Sequence, residues 1–202
     1  MPRVSDARER MVIAAAALFQ QQGYNGTGLT QILEVSAAPK GSFYHHFPDG
    51  KEGLAEAAVR HAGPAITAWV DAAFNQSSSF EDGIDRLTQS VSEWFDRSGW
   101  SGGCPVTSVL LDTAPGSERL RGACRDMMAD WARRVEFHAG RLGAHGDAEA
   151  LGLAVVVGLE GAWVAARARQ DDVPFTIAAA MIKALPAQNA TRAPIENSPT
   201  LG

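Results

Sequence analysis

The sequence has few cysteines, no long uninterrupted hydrophobic run and no excess of positive charge. Its two cysteines, Cys104 and Cys124, are too few for a disulfide framework or for a zinc site of paired CxxC type. The most apolar stretch, residues 150–166, is broken by three glycines and Glu160, so no membrane span is expected. The charged start MPRVSDARERM is followed by no signal-like apolar core. Together these absences predict a protein of the reducing cytoplasm with no membrane partner.

The net charge of −5 comes from 18 Lys and Arg against 23 Asp and Glu. A mildly acidic total speaks against nucleic-acid binding, because nucleic-acid-binding surfaces are usually basic. The acidity is unevenly distributed, however. Residues 1–60 carry six basic and six acidic side chains, whereas residues 61–202 carry twelve and seventeen. A neutral N-terminal segment is therefore compatible with DNA binding, and it predicts few phosphate contacts and a modest dependence on salt.

Helix is the secondary structure that the sequence favours throughout. Apolar residues make up 46% of the chain, and β-branched runs with turn signals at strand spacing are missing. Ser117 and Asp147 are expected N-caps, a kink is expected at Gly63–Pro64, and the polar segment after Pro186 predicts a disordered tail. The predicted helices cover residues 5–22, 27–35, 39–47, 51–73, 80–97, 104–112, 118–142, 148–169 and 174–185.

Residues 27–47 read as a short helix, a tight corner at Ala37–Ala38 and a second short helix. This is the helix-turn-helix arrangement, in which the second helix lies in the DNA major groove. Phe43 and Phe47 are spaced to face inward, while the residues between and before them carry hydrogen-bonding groups. The spacing alone equally allows an ordinary small helix with half-exposed tyrosine and histidines.

The segment Ala37–Phe47, AAPKGSFYHHF, resembles the TetR family of transcriptional regulators, and so do the upstream FQQQGY at 19–24 and the position of Thr27. The resemblance implies an all-α homodimer with a helix-turn-helix DNA-binding domain at residues 1–50 (motif 28–47). A helical ligand-binding and dimerisation domain would follow at 51–186, and residues 187–202 would form the tail. The positions that match the family's DNA contacts are Thr27, Pro39, Lys40, Gly41, Ser42, Tyr44, His45 and Lys51.

Two departures from the family pattern are informative. The family usually has glycine at the corner where this chain has Ala37, and a left-handed alanine there would cost roughly 1–2 kcal/mol. The pair Asp49–Gly50 is one residue longer than the commonest family version. With Gly103–Cys104–Pro105, that insertion resembles the subgroup related to the lincomycin-resistance and flavonoid-responsive repressors.

All five tryptophans follow the helix-turn-helix segment, in the region where the family places a ligand pocket. Small-molecule pockets are mostly apolar and aromatic, although aromatic residues at helical spacing are more often plain core. We expect a small apolar or aromatic ligand. The residues predicted to line its pocket are Trp94, Phe95, Trp100, Val109, Trp131, Phe137 and Trp163.

Small residues recur along 150–166, which allows close helix approach, either across a two-fold axis or within the chain. In the family, the last two long helices form the dimer interface. The residues predicted for this interface are Val155, Gly158, Leu159, Ala162, Ala166, Ile177 and Met181.

No catalytic set, cofactor motif or metal-ligand spacing is recognisable. Cys104 with His138 or His145 as a base would be the only candidates for catalysis, and a structural cysteine fits better. The sequence thus predicts a homodimeric repressor, not an enzyme, that binds a palindromic double-stranded operator and is released by its ligand. A thiol-reactive sensor based on Cys104, and an architectural DNA-binding dimer without a ligand, remain as alternatives.

Overall fold

The computed structural model describes residues 4–190 of the chain, with side chains from residue 7 to residue 185. This part is all-helical and contains no strand. Its nine helices are α1 (Val4–Gln22), α2 (Leu29–Val35), α3 (Lys40–His46), α4 (Gly50–Asn75), α5 (Phe80–Arg97), α6 (Pro105–Thr113), α7 (Glu118–Arg141), α8 (Ala148–Arg169) and α9 (Val173–Ala190).

Most helix ends lie where local sequence signals put them. Ser117 accepts a hydrogen bond from the Leu120 N–H at 3.1 Å, and Asp147 accepts one from the Glu149 N–H at 3.0 Å, so both predicted N-caps are confirmed. The prediction of a tail from residue 187 is wrong for its first four residues. These residues, AQNA, include good helix formers and continue α9 to Ala190. The rest of the predicted tail lies outside the described residues.

The corner between α2 and α3 is a Schellman turn. The Ala37 N–H donates to the Glu34 carbonyl and the Ala38 N–H to the Leu33 carbonyl, both at 3.1 Å. Ala37 is left-handed, with φ 49°, so the strained alanine inferred from the sequence is present. Arg10 of α1 donates to the Ser36 carbonyl at 2.8 Å and so ties the corner to α1.

The first three helices enclose a small core in which Phe19, Ile32 and Phe43 are fully buried. The core continues into α4, whose Leu54 and Ala55 are also fully buried. α4 packs on α1 and also on α5, α6 and α7, so one helix joins the N-terminal unit to the C-terminal bundle.

α4 runs through Pro64 without ending. The Gly63 carbonyl just before the proline accepts hydrogen bonds from the Trp131 indole N–H at 3.2 Å and from the Thr67 hydroxyl at 3.3 Å. A Cβ at Gly63 would lie 2.4 Å from the Met127 sulfur, so a larger residue there would require the Met127 side chain of α7 to move.

The C-terminal bundle is built on close contacts of α8 with α7 and α9. A Cβ at Gly152 would lie 2.3 Å from the Ala132 carbonyl oxygen, so α7 and α8 touch backbone to backbone there. At Gly158 the close neighbour is a side chain: a Cβ there would lie 3.0 Å from the Ile182 Cδ1 of α9. These two glycines therefore serve packing within the chain.

Candidate DNA-binding surface, inner cavity and apolar face

α3 divides into a buried and an exposed side. Phe43 and Phe47 are 0% and 4% exposed, which confirms their predicted inward orientation. Tyr44 is 58% exposed, although it is a large aromatic residue. The remaining predicted contacts on this segment are also solvent-facing, with Ser42 half-buried and the others exposed: Pro39, Lys40, Gly41 and His45.

Gly41 has no role within the chain that requires a glycine. It is exposed and helical with no left-handed φ, and a Cβ built there would meet no atom within 4 Å. Glycine in a helix costs about 0.5–1 kcal/mol relative to alanine. The open backbone at Gly41 leaves room for another molecule to approach α3 closely from outside.

Two predicted contacts differ from the others. Thr27 is 1% exposed, and its hydroxyl donates to the Gly23 carbonyl at 2.7 Å, so its side chain is not available to a DNA phosphate. It is also not the N-cap of α2, because that position is Gly28, which has no side-chain cap. The sequence could not reveal this, since threonine is equally suited to capping and to closing the preceding turn.

Lys51 is half-buried and braces the loop before α2. Its Nζ donates to the Tyr24 carbonyl at 2.6 Å and lies 4.0 Å from the centre of the Tyr24 ring. Burial lowers the pKa of Lys51, partly offset by the carboxylate of Asp112. Contact of Lys51 with a phosphate stays a prediction, and this lysine has a structural task as well.

The same loop is bound to α6. The Asn25 N–H donates to the Asp112 carboxylate at 2.8 Å, and a Cβ at Gly23 would lie 2.9 Å from that carboxylate. The N-terminal unit is therefore held by the C-terminal end of α6 in addition to α4.

A narrow inner cavity of about 40 Å³ lies between α4, α5, α7 and α8. Two of the predicted pocket residues, Trp131 and Trp163, line it. Both indole N–H groups bind backbone carbonyls, of Gly63 and Gly102 respectively, each at 3.2 Å, so these rings offer the cavity only carbon surface. The other lining residues are Ile66, Trp69, Val70, Leu87, Val91, Val135, Val155, Val156, Leu159 and Glu160.

The remaining predicted pocket residues do not line this cavity. Trp94 packs edge-on against Trp69 and Trp163 just outside it. Phe95 is fully buried and packs edge-on against Trp100. Val109 is fully buried in the core shared with the N-terminal helices, and Phe137 is 54% exposed on α7. Aromatic content identified the region, but it could not say which side of each helix faces the cavity.

Glu160 is the only ionisable residue that lines the cavity, and sequence reasoning missed it as a site residue. Its carboxylate accepts a hydrogen bond from the Thr107 hydroxyl at 2.7 Å. No Arg, Lys or His among residues 7–185 forms an ion pair with it. Burial raises the pKa of Glu160, because the charged form loses hydration. The sequence did contain a signal for this residue, because Glu160 is an acidic residue within the apolar stretch of residues 150–166.

Neither cysteine is placed for reaction. Cys104 is 5% exposed and Cys124 is fully buried. Burial raises the pKa of Cys104 well above its ordinary value, with the Glu160 carboxylate adding to the effect, and burial raises the pKa of Cys124 to about 11. Both thiols are therefore held protonated, which disfavours a thiol-reactive sensor. Within the described part of the chain no group of His, Cys, Asp or Glu could hold a metal ion.

An exposed apolar face runs along α8 and α9. On α8, Leu153, Val157 and Val164 are 59%, 64% and 65% exposed, and Gly161 completes the helical spacing. On α9, Ile177 and Met181 are 53% and 67% exposed. An open groove of about 760 Å³ lies between the two stripes. α8 is also long and apolar enough, by length and hydropathy alone, to span a membrane.

Some of the predicted interface residues lie on this apolar face, and the others lie in the interior. Ile177 and Met181 lie on the apolar face, and Gly158 and Ala162 line its groove. Val155 and Leu159 line the inner cavity and Ala166 is fully buried, so none of the three lies on the exposed apolar face. The spacing of Leu153, Val157 and Val164, four and then seven residues, matches one face of a helix and could have revealed the stripe from the sequence.

The chain has a helix-turn-helix unit, and one long helix joins this unit to a helical bundle with an inner cavity. Together with the family match reported next, this architecture identifies the chain as a DNA-binding transcriptional regulator, not an enzyme. More particularly, it belongs to the TetR family. Residues 12–58 match "Bacterial regulatory proteins, tetR family", and residues 81–181 match "Transcriptional regulator LmrA/YxaF-like, C-terminal domain".

Relatives extend along most of the chain. It is 34% identical over 184 residues to the uncharacterized HTH-type transcriptional regulator YxaF of Bacillus subtilis, covering 89% of this chain and 95% of YxaF. It is 40% identical over 131 residues to the HTH-type transcriptional regulator LmrA of the same organism, covering 65% and 70%. The fold is shared with a cysteine mutant of the TetR family regulator CifR in complex with 26-bp operator DNA. That structure has a TM-score of 0.73 and 22% identity, with coverage of 87% of this chain and 94% of CifR.

Proposed function

We propose that this regulator is a homodimeric repressor of the bacterial cytoplasm that binds a palindromic operator through α3 and is released by a small ligand in the C-terminal bundle. The observation that carries the DNA-binding part is the exposed side of α3. It presents Lys40, Tyr44 and His45 around a glycine that the fold does not require. Lysine and tyrosine suit phosphate oxygens and base edges.

The apolar face of α8 and α9 supports the homodimer. Both of its stripes belong to the last two helices, and burying side chains such as Val157 and Met181 against a second copy would remove large apolar surface from water. Gly161 has no atom within 4 Å of a Cβ position, so it leaves room for close approach by a partner helix. Two helix-turn-helix units related by a two-fold axis would each bind one half of a palindromic operator.

Release by a ligand is supported by how α6 is connected. Thr107 near its start donates to Glu160 at the cavity, and Asp112 near its end accepts from Asn25 in the DNA-binding unit. Suppose that the ligand binds more tightly to a state in which α6 or α4 has moved than to the state that binds the operator. Operator affinity would then fall by the ratio of the ligand's affinities for these two states.

The test is operator binding by the Lys40→Ala/Tyr44→Phe double variant, using a duplex selected from a random pool by the wild-type protein. We expect operator affinity to fall at least about tenfold per head, since charged hydrogen bonds contribute about 1.5–3 kcal/mol. Sedimentation should show an unchanged dimer. Wild-type affinity in the double variant would refute α3 as the reading helix.

A further inference from the structure

Glu160 lies where two concavities meet. It lines the inner cavity, and with Trp163 it also lines a groove of about 160 Å³ on the surface between α6 and α8. Cys104, Thr107 and Arg167 are among the other residues of this groove. A molecule that passes from the groove to the cavity would have to pass the Glu160 carboxylate.

Among the side chains that the structure describes, no cation pairs with this carboxylate. Its partners are a hydroxyl and a thiol, those of Thr107 and Cys104, and both are neutral. Arg167 lies in the same groove, but its Nη2 donates to the Ser101 and Gly102 carbonyls at 2.9 Å. Glu160 is half-buried, and shielding a carboxylate from water without a counter-ion is unfavourable, so a ligand that supplies a cation gains an interaction that the protein does not provide.

The cavity walls around Glu160 are suited to an aromatic ring attached to such a cationic group. Trp69, Trp131 and Trp163 line the cavity, and aromatic ring faces attract cations as well as other rings. No basic side chain lines the cavity, so nothing there would repel a positive charge.

The cavity volume limits the size and the mode of binding. A volume of about 40 Å³ holds roughly one water molecule, and an aromatic ring needs more space. A ligand must therefore displace wall side chains. Trp69 lines the cavity and meets Trp94 edge-on, and no hydrogen bond of its indole holds it among the described residues, whereas the Trp163 indole is bound to the Gly102 carbonyl.

From these observations we infer that Glu160 selects aromatic ligands that carry a protonated amine, with the ammonium group at the carboxylate and the ring among the tryptophans. This inference rests on the proposed ligand-controlled function and specifies the chemistry of its ligand. The same ammonium group would compete with Thr107 for the carboxylate oxygen and so act directly on the bond that joins α8 to α6.

The test compares three probes of similar size: 2-phenylethylamine, 2-phenylethanol and 3-phenylpropanoate. Binding is followed by tryptophan fluorescence and calorimetry on the full chain. We expect the amine to bind at least about tenfold more tightly than the alcohol, which corresponds to about 1.4 kcal/mol, and the carboxylate to bind least. Glu160→Gln, which keeps an acceptor for Thr107, should abolish the preference for the amine. Glu160→Asp should retain part of it.

Glu149→Gln is the matched control, because it makes the same change at an exposed position of the same helix. It should behave as wild type. Equal binding of amine and alcohol by the wild-type chain, a preference that survives Glu160→Gln, or no saturable binding of the amine would each overturn the inference. Operator binding is measured in parallel. If the operator is bound and only the amine preference is missing, the inference fails alone, whereas loss of specific operator binding in the wild-type chain would refute the proposed function itself.

Discussion

Replacing Gly41 with alanine separates the needs of the fold from the needs of DNA binding. The new methyl group meets no atom of the chain within 4 Å, so the folded state accepts it without strain. Alanine is favoured over glycine in a helix by about 0.5–1 kcal/mol. For a chain of this size, that gain corresponds to a melting temperature higher by about 1–4 °C.

On DNA the same methyl group should be harmful. If the α3 backbone lies against the operator, the methyl group pushes the helix outward and lengthens the neighbouring contacts. Loss of one charge-assisted hydrogen bond per head costs about 1.5–3 kcal/mol, and a dimer incurs this cost twice. We therefore expect operator affinity to fall by about a hundredfold or more.

The assay is fluorescence anisotropy with the selected operator duplex, alongside thermal unfolding. Gly140→Ala is the control, because Gly140 is exposed on α7 and also has no atom within 4 Å of its Cβ position. This variant should be stabilised to a similar degree and bind DNA normally. If Gly41→Ala gains stability and keeps full operator affinity, the argument that DNA requires this glycine is refuted.

Three further changes test other parts of the structure. Ala37→Gly should raise the unfolding free energy by about 0.5–1 kcal/mol, because relief of the left-handed alanine outweighs the added freedom of the unfolded chain, and a lower melting temperature would contradict this. Met181→Glu should shift the protein towards monomer in sedimentation, whereas Val35→Glu, at an apolar residue of similar exposure on α2, should not. The pKa of Glu160 is raised by folding, so the unfolding free energy of the wild type should decrease as the pH rises from 4.5, the ordinary pKa, through the higher folded-state value. Glu160→Gln should lack this decrease in urea unfolding, and parallel pH profiles of the two proteins would argue against a buried carboxylate.

Local signals in the sequence were enough to predict the helices and the inward side of α3. α5 and α8 have their predicted bounds because Ser79 and Asp147 cap them within one turn. Ligand and interface residues depend on how helices are rotated against each other, which no local signal determines. Val155 was therefore predicted for the interface and lies at the cavity.

The cavity geometry also limits how a ligand can act at a distance. α7 and α8 meet backbone to backbone at Gly152, so the wall they form has little room to yield. The opposite wall includes Ile66, Trp69 and Val70 of α4, the same helix that continues into the core of the DNA-binding unit at Leu54. Protein interiors are close-packed, so enlarging a cavity of about 40 Å³ must move at least one wall. If the wall that moves is the one formed by α4, the displacement continues along the same helix into the N-terminal unit, and ligand size is then coupled to the position of that unit by packing alone.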